Sequence, residues 1–305
     1  GQFTSKDNVM SDAEKIAAFY KKVSREATFS EYIPTLAIGE FNAEESFEND
    51  KVFHVSKLGL NDEDAEAVSL AIQTVQPQSL QALYMGENEI TEVGFNKIVE
   101  NLWAVPGLEV LFFAKCQIGP EGMNGFMESM QGGTPAGENL RHLALQSNKL
   151  GDEGLKVFAD FLSMGGLPNL EWLYLTDNDI GDEGLSALAS ALLGGNCKKL
   201  SRLAVQDNRI GDEGMMALAA AVKKGAMRYG EYIYIQRNNF TEAGEHKLKM
   251  AAKGTNLQVH FGWPPPRTFS FLAEGPTHPQ EIEKYKKYKW YEMPPNPKED
   301  FKELC

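Results

Sequence analysis

A segment of about 30 residues recurs in tandem through the middle of this 305-residue chain, and it restricts the fold more than any other feature. Three near-identical copies occupy residues 140–154, 170–184 and 200–214, each opening on a leucine and ending on Gly-Asp-Glu-Gly. Looser copies begin at Leu80, Leu108 and Gly230, and a degenerate first copy lies near residues 53–64. About seven such units, each stacked on its neighbours, predict an elongated repeat fold instead of one compact core.

Each copy has the pattern of a strand, a turn and a helix. Its opening Leu-x-x-Leu-x-Leu alternates apolar with variable residues, which indicates a half-buried strand. Leu185, Leu188 and Leu192 then recur at helical spacing in the best-formed copy. A glycine pair such as Gly194-Gly195 follows and can adopt the left-handed conformations that end a helix.

The Gly-Asp-Glu-Gly run between strand and helix places two carboxylates at the start of each helix. Negative charge is favourable at a helix N-terminus, where an aspartate can accept hydrogen bonds from free backbone N–H groups. We therefore predict that Asp182 and its equivalents cap the helices that they precede.

One position of the repeat holds an asparagine in five copies, namely Asn88, Asn148, Asn178, Asn208 and Asn238. It stands where the chain turns, and a buried amide can satisfy backbone groups that a tight turn leaves unpaired. We predict a structural role for this column, and likewise for Cys116, which replaces the asparagine in its own copy.

The pattern Leu-x-x-Leu-x-Leu-x-x-Asn-x-(Ile/Leu), followed by an amphipathic helix at a period near 28–32 residues, resembles the leucine-rich repeat of the long, ribonuclease-inhibitor-like class. The resemblance covers residues 50–261, about two thirds of the chain. It implies an α/β fold, a curved solenoid of about seven repeats with a parallel sheet on the concave face and helices on the convex face.

The residues before the repeats, 1–49, are predicted to form an N-terminal helical cap. Ser11 and Glu14 have the spacing of a capping box, and apolar residues follow on one face of a helix over residues 11–25. This helix and the stretch 33–41 would cover the apolar edge of the first repeat. A partner-binding helix is the alternative.

Residues 262–305 form a Pro- and aromatic-rich extended tail, with eight of the chain's 14 prolines and eight aromatic residues. A solvated linker is poor in aromatic residues, so we expect the tail to lie against something apolar. Trp263, Tyr288 and Trp290 are the candidate contact residues. Two possibilities remain open, packing on the chain's own solenoid or binding another protein.

Composition and charge exclude several classes of protein. The net charge of −13 disfavours nucleic acid as a partner, and no apolar run is long enough for a membrane span. Three scattered cysteines favour a reducing compartment. We expect an intracellular, cytoplasmic protein, or an organellar one if a presequence has been removed, because the chain opens without methionine.

The sequence contains no recognisable catalytic or metal-binding motif. The five histidines are dispersed, and neither a nucleophile elbow nor a phosphate-binding glycine loop is present. Residues 176–183 superficially resemble a calcium loop but lack its ligand order. We therefore predict no catalytic residue, no metal site, no cofactor and no small-molecule substrate.

The residues that flank the inward-pointing leucines should project from the concave face. Many are of the aromatic and arginine types that dominate protein interfaces. The candidate protein-binding residues of this face are Tyr84, Phe112, His142, Trp172, Tyr174, Arg202, Tyr232 and Tyr234. Alternatively, some of these side chains only stack along the sheet or are covered by the chain's own tail.

These observations predict a non-catalytic protein-binding or scaffold module that uses the concave face and the C-terminal tail. The partner would be another protein of unknown identity. A regulator of a small GTPase, similar to the Ran GTPase-activating protein, and an accessory subunit of a large organellar complex are the alternatives.

Overall fold

The computed structural model describes residues 10–28 and 42–261, and in this part of the chain strands and helices alternate. The helices are α1 (Asp12–Thr28), α2 (Ala43–Asn49), α3 (Asp62–Val75), α4 (Glu92–Val99), α5 (Gly119–Met130), α6 (Pro135–Asn139), α7 (Gly151–Ser163), α8 (Asp182–Leu193), α9 (Asp212–Lys223) and α10 (Glu242–Ala252). The strands are β1 (Val52–His54), β2 (Ala82–Tyr84), β3 (Val110–Phe112), β4 (His142–Ala144), β5 (Trp172–Tyr174), β6 (Arg202–Ala204), β7 (Tyr232–Tyr234) and β8 (Gln258–His260).

The eight strands form one parallel sheet in the order of the sequence, β1 to β8. Equivalent residues of successive copies pair, so that Leu143 stands beside Leu173 and Leu173 beside Leu203. All three leucines are fully buried in a continuous core that runs the length of the solenoid. The predicted α/β solenoid of about seven strand–helix units is confirmed, and β8 adds one further strand at its end.

The asparagine column joins each repeat to the one before it. Asn178 Oδ1 accepts hydrogen bonds from the backbone N–H groups of Asn148 (2.9 Å) and Leu150 (3.4 Å), while its Nδ2 donates to the carbonyl of Leu145 (2.7 Å). Asn208 repeats the arrangement towards Asn178. These amides therefore satisfy the turn of the preceding repeat, as the sequence pattern predicts.

Asn178→Ala should lower the free energy of unfolding by about 1–3 kcal/mol, because buried backbone groups would lose their partners. The measurement is chemical denaturation of wild type and variant. Asn196→Ala is the matched control, since Asn196 is exposed and donates one hydrogen bond, to the Ser163 carbonyl. Equal stability of the two variants would contradict the structural role of the column.

The aspartates of the Gly-Asp-Glu-Gly runs do not cap their own helices, which corrects the prediction. Asp182 Oδ1 instead accepts from the backbone N–H groups of Gly211 (2.7 Å) and Gly214 (2.9 Å), at the start of the next helix. Asp152 caps α8 in the same way. Parallel stacking brings successive helix N-termini side by side, so the carboxylate of one repeat reaches the free N–H groups of the next.

Glycine at the last position of the run permits this contact. A Cβ on Gly214 would stand 2.7 Å from Asp182 Oδ1, and one on Gly184 would stand 2.6 Å from Asp152 Oδ1. Both distances are shorter than a carbon and an oxygen tolerate, so the carboxylate and a larger side chain exclude each other. The aspartate of a run therefore caps the helix of the following repeat. The last glycine of a run leaves room for the aspartate carboxylate of the preceding repeat.

Asp182→Ala should destabilise the protein by about 1 kcal/mol, the usual cost of losing a helix cap, and Asp182→Asn by less. Glu183→Ala is the control. Glu183 is the adjacent carboxylate, strongly exposed and paired with Lys156, so its loss should have little effect. Thermal or chemical unfolding of the three variants measures the difference, and a Glu183 effect as large as the Asp182 effect would argue against the inter-repeat cap.

The N-terminal helices pack against the first strand. Phe19 and Val23 of α1 are buried, and the Phe19 ring lies 6.5 Å from that of Phe53 in β1. Phe47 of α2 contacts the same Phe53 ring edge-on at 4.9 Å. Ser11 and Glu14 exchange hydrogen bonds as a capping box does. The predicted helix over residues 11–25 is therefore present as α1, and its contacts support the proposal that residues 1–49 cap the solenoid.

Two predicted regions lie outside the described residues. One is the stretch 33–41 of the N-terminal cap. The other is the tail over residues 262–305, with its candidate contact residues Trp263, Tyr288 and Trp290.

Candidate functional site

The concave side of the sheet carries two columns of side chains, formed by the first and third residues of each strand. The first column holds Val52, Ala82, Val110, His142, Trp172, Arg202, Tyr232 and Gln258 in register. The third-residue column holds His54, Tyr84, Phe112, Ala144, Tyr174, Ala204, Tyr234 and His260. The eight residues of this face selected from the sequence therefore stand together on neighbouring strands.

These side chains form an apolar cluster separate from the main core. Its buried members are Phe112, Ala114, Ala144, Trp172, Tyr174, Ala204 and Tyr234, with Tyr84 and Tyr232 packed against them. Trp172 is only 5% exposed and Tyr174 only 3%. The sequence predicts a binding face and leaves open that some of its side chains stack along the sheet or are covered. In the structure the centre of the face is buried.

Arg202 lies at the centre of this cluster. Its guanidinium carbon is 4.4 Å from the centroid of the Trp172 ring and 5.5 Å from that of Tyr232. His142 lies on the strand at the other side of Trp172. Its ring stacks on the Trp172 ring with a centroid distance of 3.8 Å and an angle of 1° between the planes. Glu231 accepts hydrogen bonds from Arg202 at 3.2 and 3.3 Å. This stacked arrangement holds a positive charge inside an aromatic environment.

Ring contacts extend the site to both ends of the sheet. Tyr84 lies 5.4 Å from Phe112, and Tyr234 stacks on His260 at 4.9 Å. His54 lies 5.1 Å from Tyr84 at the other end. His54 and His260 are not among the residues that the sequence predicts for this face. Both histidines occupy the third position of their strands, and this position could have identified them from the sequence. The copies that contain them have the most degenerate pattern.

A row of glutamines lies beside the aromatic columns, two residues beyond the third position of each strand. Gln146, Gln206 and Gln236 are 5%, 2% and 1% exposed. Both amide atoms of Gln146 and Gln236, and the amide oxygen of Gln206, are buried without a hydrogen-bond partner among the described residues. Buried amides of this kind normally have partners, so the row presents unused donors and acceptors along the face.

Charged side chains line the edge of the face at the start of the strands. Arg141 contacts Glu171 at 3.2 Å and Glu109 at 3.7 Å. Glu231, which pairs with Arg202, continues the row. This edge therefore carries three carboxylates, one on every second repeat, and each of them is paired with an arginine.

Burial changes the titration of the site. It lowers the pKa of His142 well below its ordinary value, and the nearby cations Arg141 and Arg202 act in the same direction. Burial also raises the pKa of Tyr234 to about 12. At neutral pH both side chains are therefore uncharged.

The cysteine of the asparagine column has no reactive features. Burial raises the pKa of the Cys116 thiol to about 11, and its Sγ lies 3.7 Å from the carbonyl of Met85. A buried thiol with a raised pKa is a poor nucleophile, in agreement with the structural role predicted for it.

Within residues 10–28 and 42–261, histidines, cysteines and carboxylates form no group of three or more that could hold a metal ion. None of the helices described is long and apolar enough to cross a membrane.

Comparison with known proteins agrees with this architecture. The family model of the leucine rich repeat matches residues 138–159, 166–189 and 196–219, which are three consecutive repeats of the solenoid. This part of the solenoid therefore consists of leucine-rich repeats. A search of curated proteins found no match.

Two solved structures show the extent of the similarity. Actin-binding site 2 of leiomodin-1 is 17% identical, with a TM-score of 0.30, and the match covers 45% of this chain and 79% of the other. A protein from Bacteroides fragilis is 14% identical, with a TM-score of 0.44, and the match covers 78% of this chain and 71% of the other.

The buried state of His142 predicts a contribution to the pH dependence of stability. Below about pH 6.5 the histidine of the unfolded chain takes up a proton, while His142 in the folded protein remains neutral. Stability should therefore fall as the pH falls, by up to about 1.4 kcal/mol per pH unit from this residue.

Urea denaturation between pH 7 and pH 5 measures this slope. His142→Gln should make this slope shallower, because the variant has no buried imidazole at this position. Parallel slopes for wild type and the His142 variant would contradict the interpretation.

Proposed function

We propose that this leucine-rich-repeat protein is a non-catalytic protein-binding or assembly module, and that its concave face recognises the partner. The observation that carries the proposal is the column His142, Trp172, Arg202 and Tyr232, stacked on four neighbouring strands. Tryptophan, tyrosine and arginine are the residues that most often dominate the binding energy of protein interfaces.

The nature of the partner follows from the chemistry of the face. Aromatic rings offer large, rigid contact areas, and tyrosine and tryptophan also provide polar atoms for hydrogen bonds. The glutamine row adds donors and acceptors that suit a polypeptide backbone. A protein segment is therefore the proposed ligand, and residues 262–305 are a second proposed contact region. The GTPase regulator and the organellar subunit remain predictions from the sequence.

Replacing Trp172 and Tyr234 by alanine should weaken partner binding at least about 30-fold, which corresponds to roughly 2 kcal/mol. The double variant and wild type would be used as baits in the native source, with mass spectrometry to identify proteins that only the wild type retains. Binding constants for such a protein would then be measured by calorimetry.

A matched control separates recognition from general loss of aromatic side chains. Trp103 and Tyr229 are 48% and 68% exposed and do not belong to the concave columns. The Trp103→Ala/Tyr229→Ala variant should bind as the wild type does. If the partner binds the Trp172→Ala/Tyr234→Ala variant with unchanged affinity while that variant remains folded, recognition by the concave face is wrong.

A further inference from the structure

The edge of the solenoid at which the helices end changes in charge along its length. Its first four segments contain two glutamates and no basic residue, and they are residues 75–80, 99–108, 130–140 and 163–170. Its last three segments, 193–200, 223–230 and 252–257, contain six basic residues and no acidic one. These six residues, here called the basic edge, are Lys198, Lys199, Lys223, Lys224, Arg228 and Lys253.

The basic edge concentrates positive charge in a chain that is acidic elsewhere. All 43 acidic residues lie outside these three segments, together with the other 24 basic residues. Helix α8 packs against α9, and α9 packs against α10, so the three segments are neighbours. Because packed helices are about 10 Å apart, the six charges fall within about 20 Å along the edge.

The side chains of the basic edge are exposed and unpaired. None of the six forms an ion pair with a carboxylate of residues 10–28 or 42–261. The carboxylate that follows most closely in the sequence, Glu231, is bound by Arg202 instead. The six cations are therefore available to an external anionic surface.

Helix termini do not account for these charges. Basic residues are favourable near a helix C-terminus, but α3, α5, α7 and α8 all end without one in their last turn. Lys198, Lys199 and Arg228 lie beyond the helices, in the segments that lead to β6 and β7. The helices of this solenoid thus end equally well without a cation.

The same edge of the solenoid carries exposed apolar side chains. Among the described residues eight large apolar side chains are exposed, and four of them lie at this edge. They are Trp103 (48% exposed), Met164 (64%), Leu193 (39%) and Tyr229 (68%). Single exposed apolar residues are ordinary, whereas an apolar group rimmed by polar residues marks a protein or membrane contact.

We propose that this edge docks on an anionic lipid surface, with the basic edge against the headgroups and Met164, Leu193 and Tyr229 in the interfacial layer. Such binding combines attraction to anionic lipids with burial of apolar side chains. The surface is separate from the concave face, so it gives the chain a second contact besides the protein partner proposed above.

The residue types favour lipid over an acidic protein. Five of the six cations are lysines, whose hydrated ammonium groups act as point charges, whereas arginine suits carboxylates held in a fixed geometry. Tyrosine has an apolar body and a polar tip, which is typical of residues at the boundary between lipid and water. The equivalent segments of successive repeats also follow one another along one edge, so a broad surface can contact several of them together.

The net charge of −13 does not oppose this contact. The carboxylates of the Gly-Asp-Glu-Gly runs lie at the opposite ends of the helices, and α9 has 12 residues. A helix of that length spans about 18 Å, and the Debye length is about 10 Å at 0.1 M salt. The lipid surface therefore interacts mainly with the charges of the basic edge.

Co-sedimentation with vesicles tests the proposal. The full chain is mixed with vesicles of phosphatidylcholine alone, or of phosphatidylcholine with about a third of phosphatidylserine, at about 0.1 M salt. We expect binding to the anionic vesicles to be at least about tenfold stronger than to the neutral ones. Most of this binding should be lost at about 1 M salt, where the Debye length is about 3 Å.

Charge reversal locates the contact. Each basic residue near an anionic surface strengthens binding about fivefold, so Lys198→Glu/Lys199→Glu/Arg228→Glu should bind the anionic vesicles at least about 100-fold more weakly. The matched control is Lys21→Glu/Lys51→Glu/Lys149→Glu, which changes the net charge equally at three exposed lysines elsewhere. It should bind within about threefold of the wild type.

A second pair of variants tests the apolar part of the contact. Met164→Ser/Tyr229→Ser should weaken binding to the anionic vesicles about tenfold, because two apolar side chains no longer leave water. Val93→Ser/Met216→Ser is the control, since these residues are 51% and 46% exposed on α4 and α9, away from the edge. All substituted side chains are exposed, so thermal unfolding should confirm that every variant is folded.

Three results would overturn the proposal. The wild type could fail to bind the anionic vesicles, and binding of polyglutamate in their place would then identify an acidic protein segment as the occupant. The charge control could lose as much binding as the edge variant, which would assign the effect to net charge. The Met164/Tyr229 variant could bind as the wild type does, which would exclude an interfacial contact. None of these results bears on recognition by the concave face, whose test uses other residues and a protein partner.

Discussion

The hydrogen bonds of a buried asparagine column are the interaction on which the solenoid depends. Each repeat reverses direction in a turn whose residue before the asparagine has positive φ, as at Ser147, Asp177 and Asp207. These are not glycines, so the conformation is strained and needs support. Asn178 and Asn208 provide it by bonding the backbone of the repeat before them. This repeated contact holds successive repeats at the same relative position, in agreement with the register of the strands.

Because the register is set in this way, equivalent side chains of neighbouring repeats are always adjacent. This explains how a column such as His142, Trp172 and Arg202 can stack closely although its members are 30 residues apart in the chain. Each repeat contributes one residue to each column of such a face. Its chemistry can therefore differ from the core without disturbing it, which is why an aromatic surface fits on the side of the sheet opposite a leucine core.

The sequence was sufficient to predict the fold, since three near-identical copies define the strands, the helices and the side chains of the concave face. It is not sufficient at three points. The direction of the Asp182 contact depends on the distance between neighbouring helix N-termini, which no single repeat contains. The burial of Trp172 depends on what lies over the sheet, and the alternation of residues along a strand reports only which side they face. His54 and His260 were missed because the terminal copies have lost most of the motif.

The forward-reaching aspartate has a consequence for how such a chain can change in length. Asp152 of one repeat meets glycines of the next, and Asp182 meets the equivalent glycines one repeat further on. Every junction in this region is thus chemically the same. Insertion or removal of one complete 30-residue unit would leave each aspartate facing a suitable glycine, whereas a shorter change would separate the partners. Gene duplication can therefore lengthen this part of the molecule only in whole steps, and the size of the concave face would grow in the same steps.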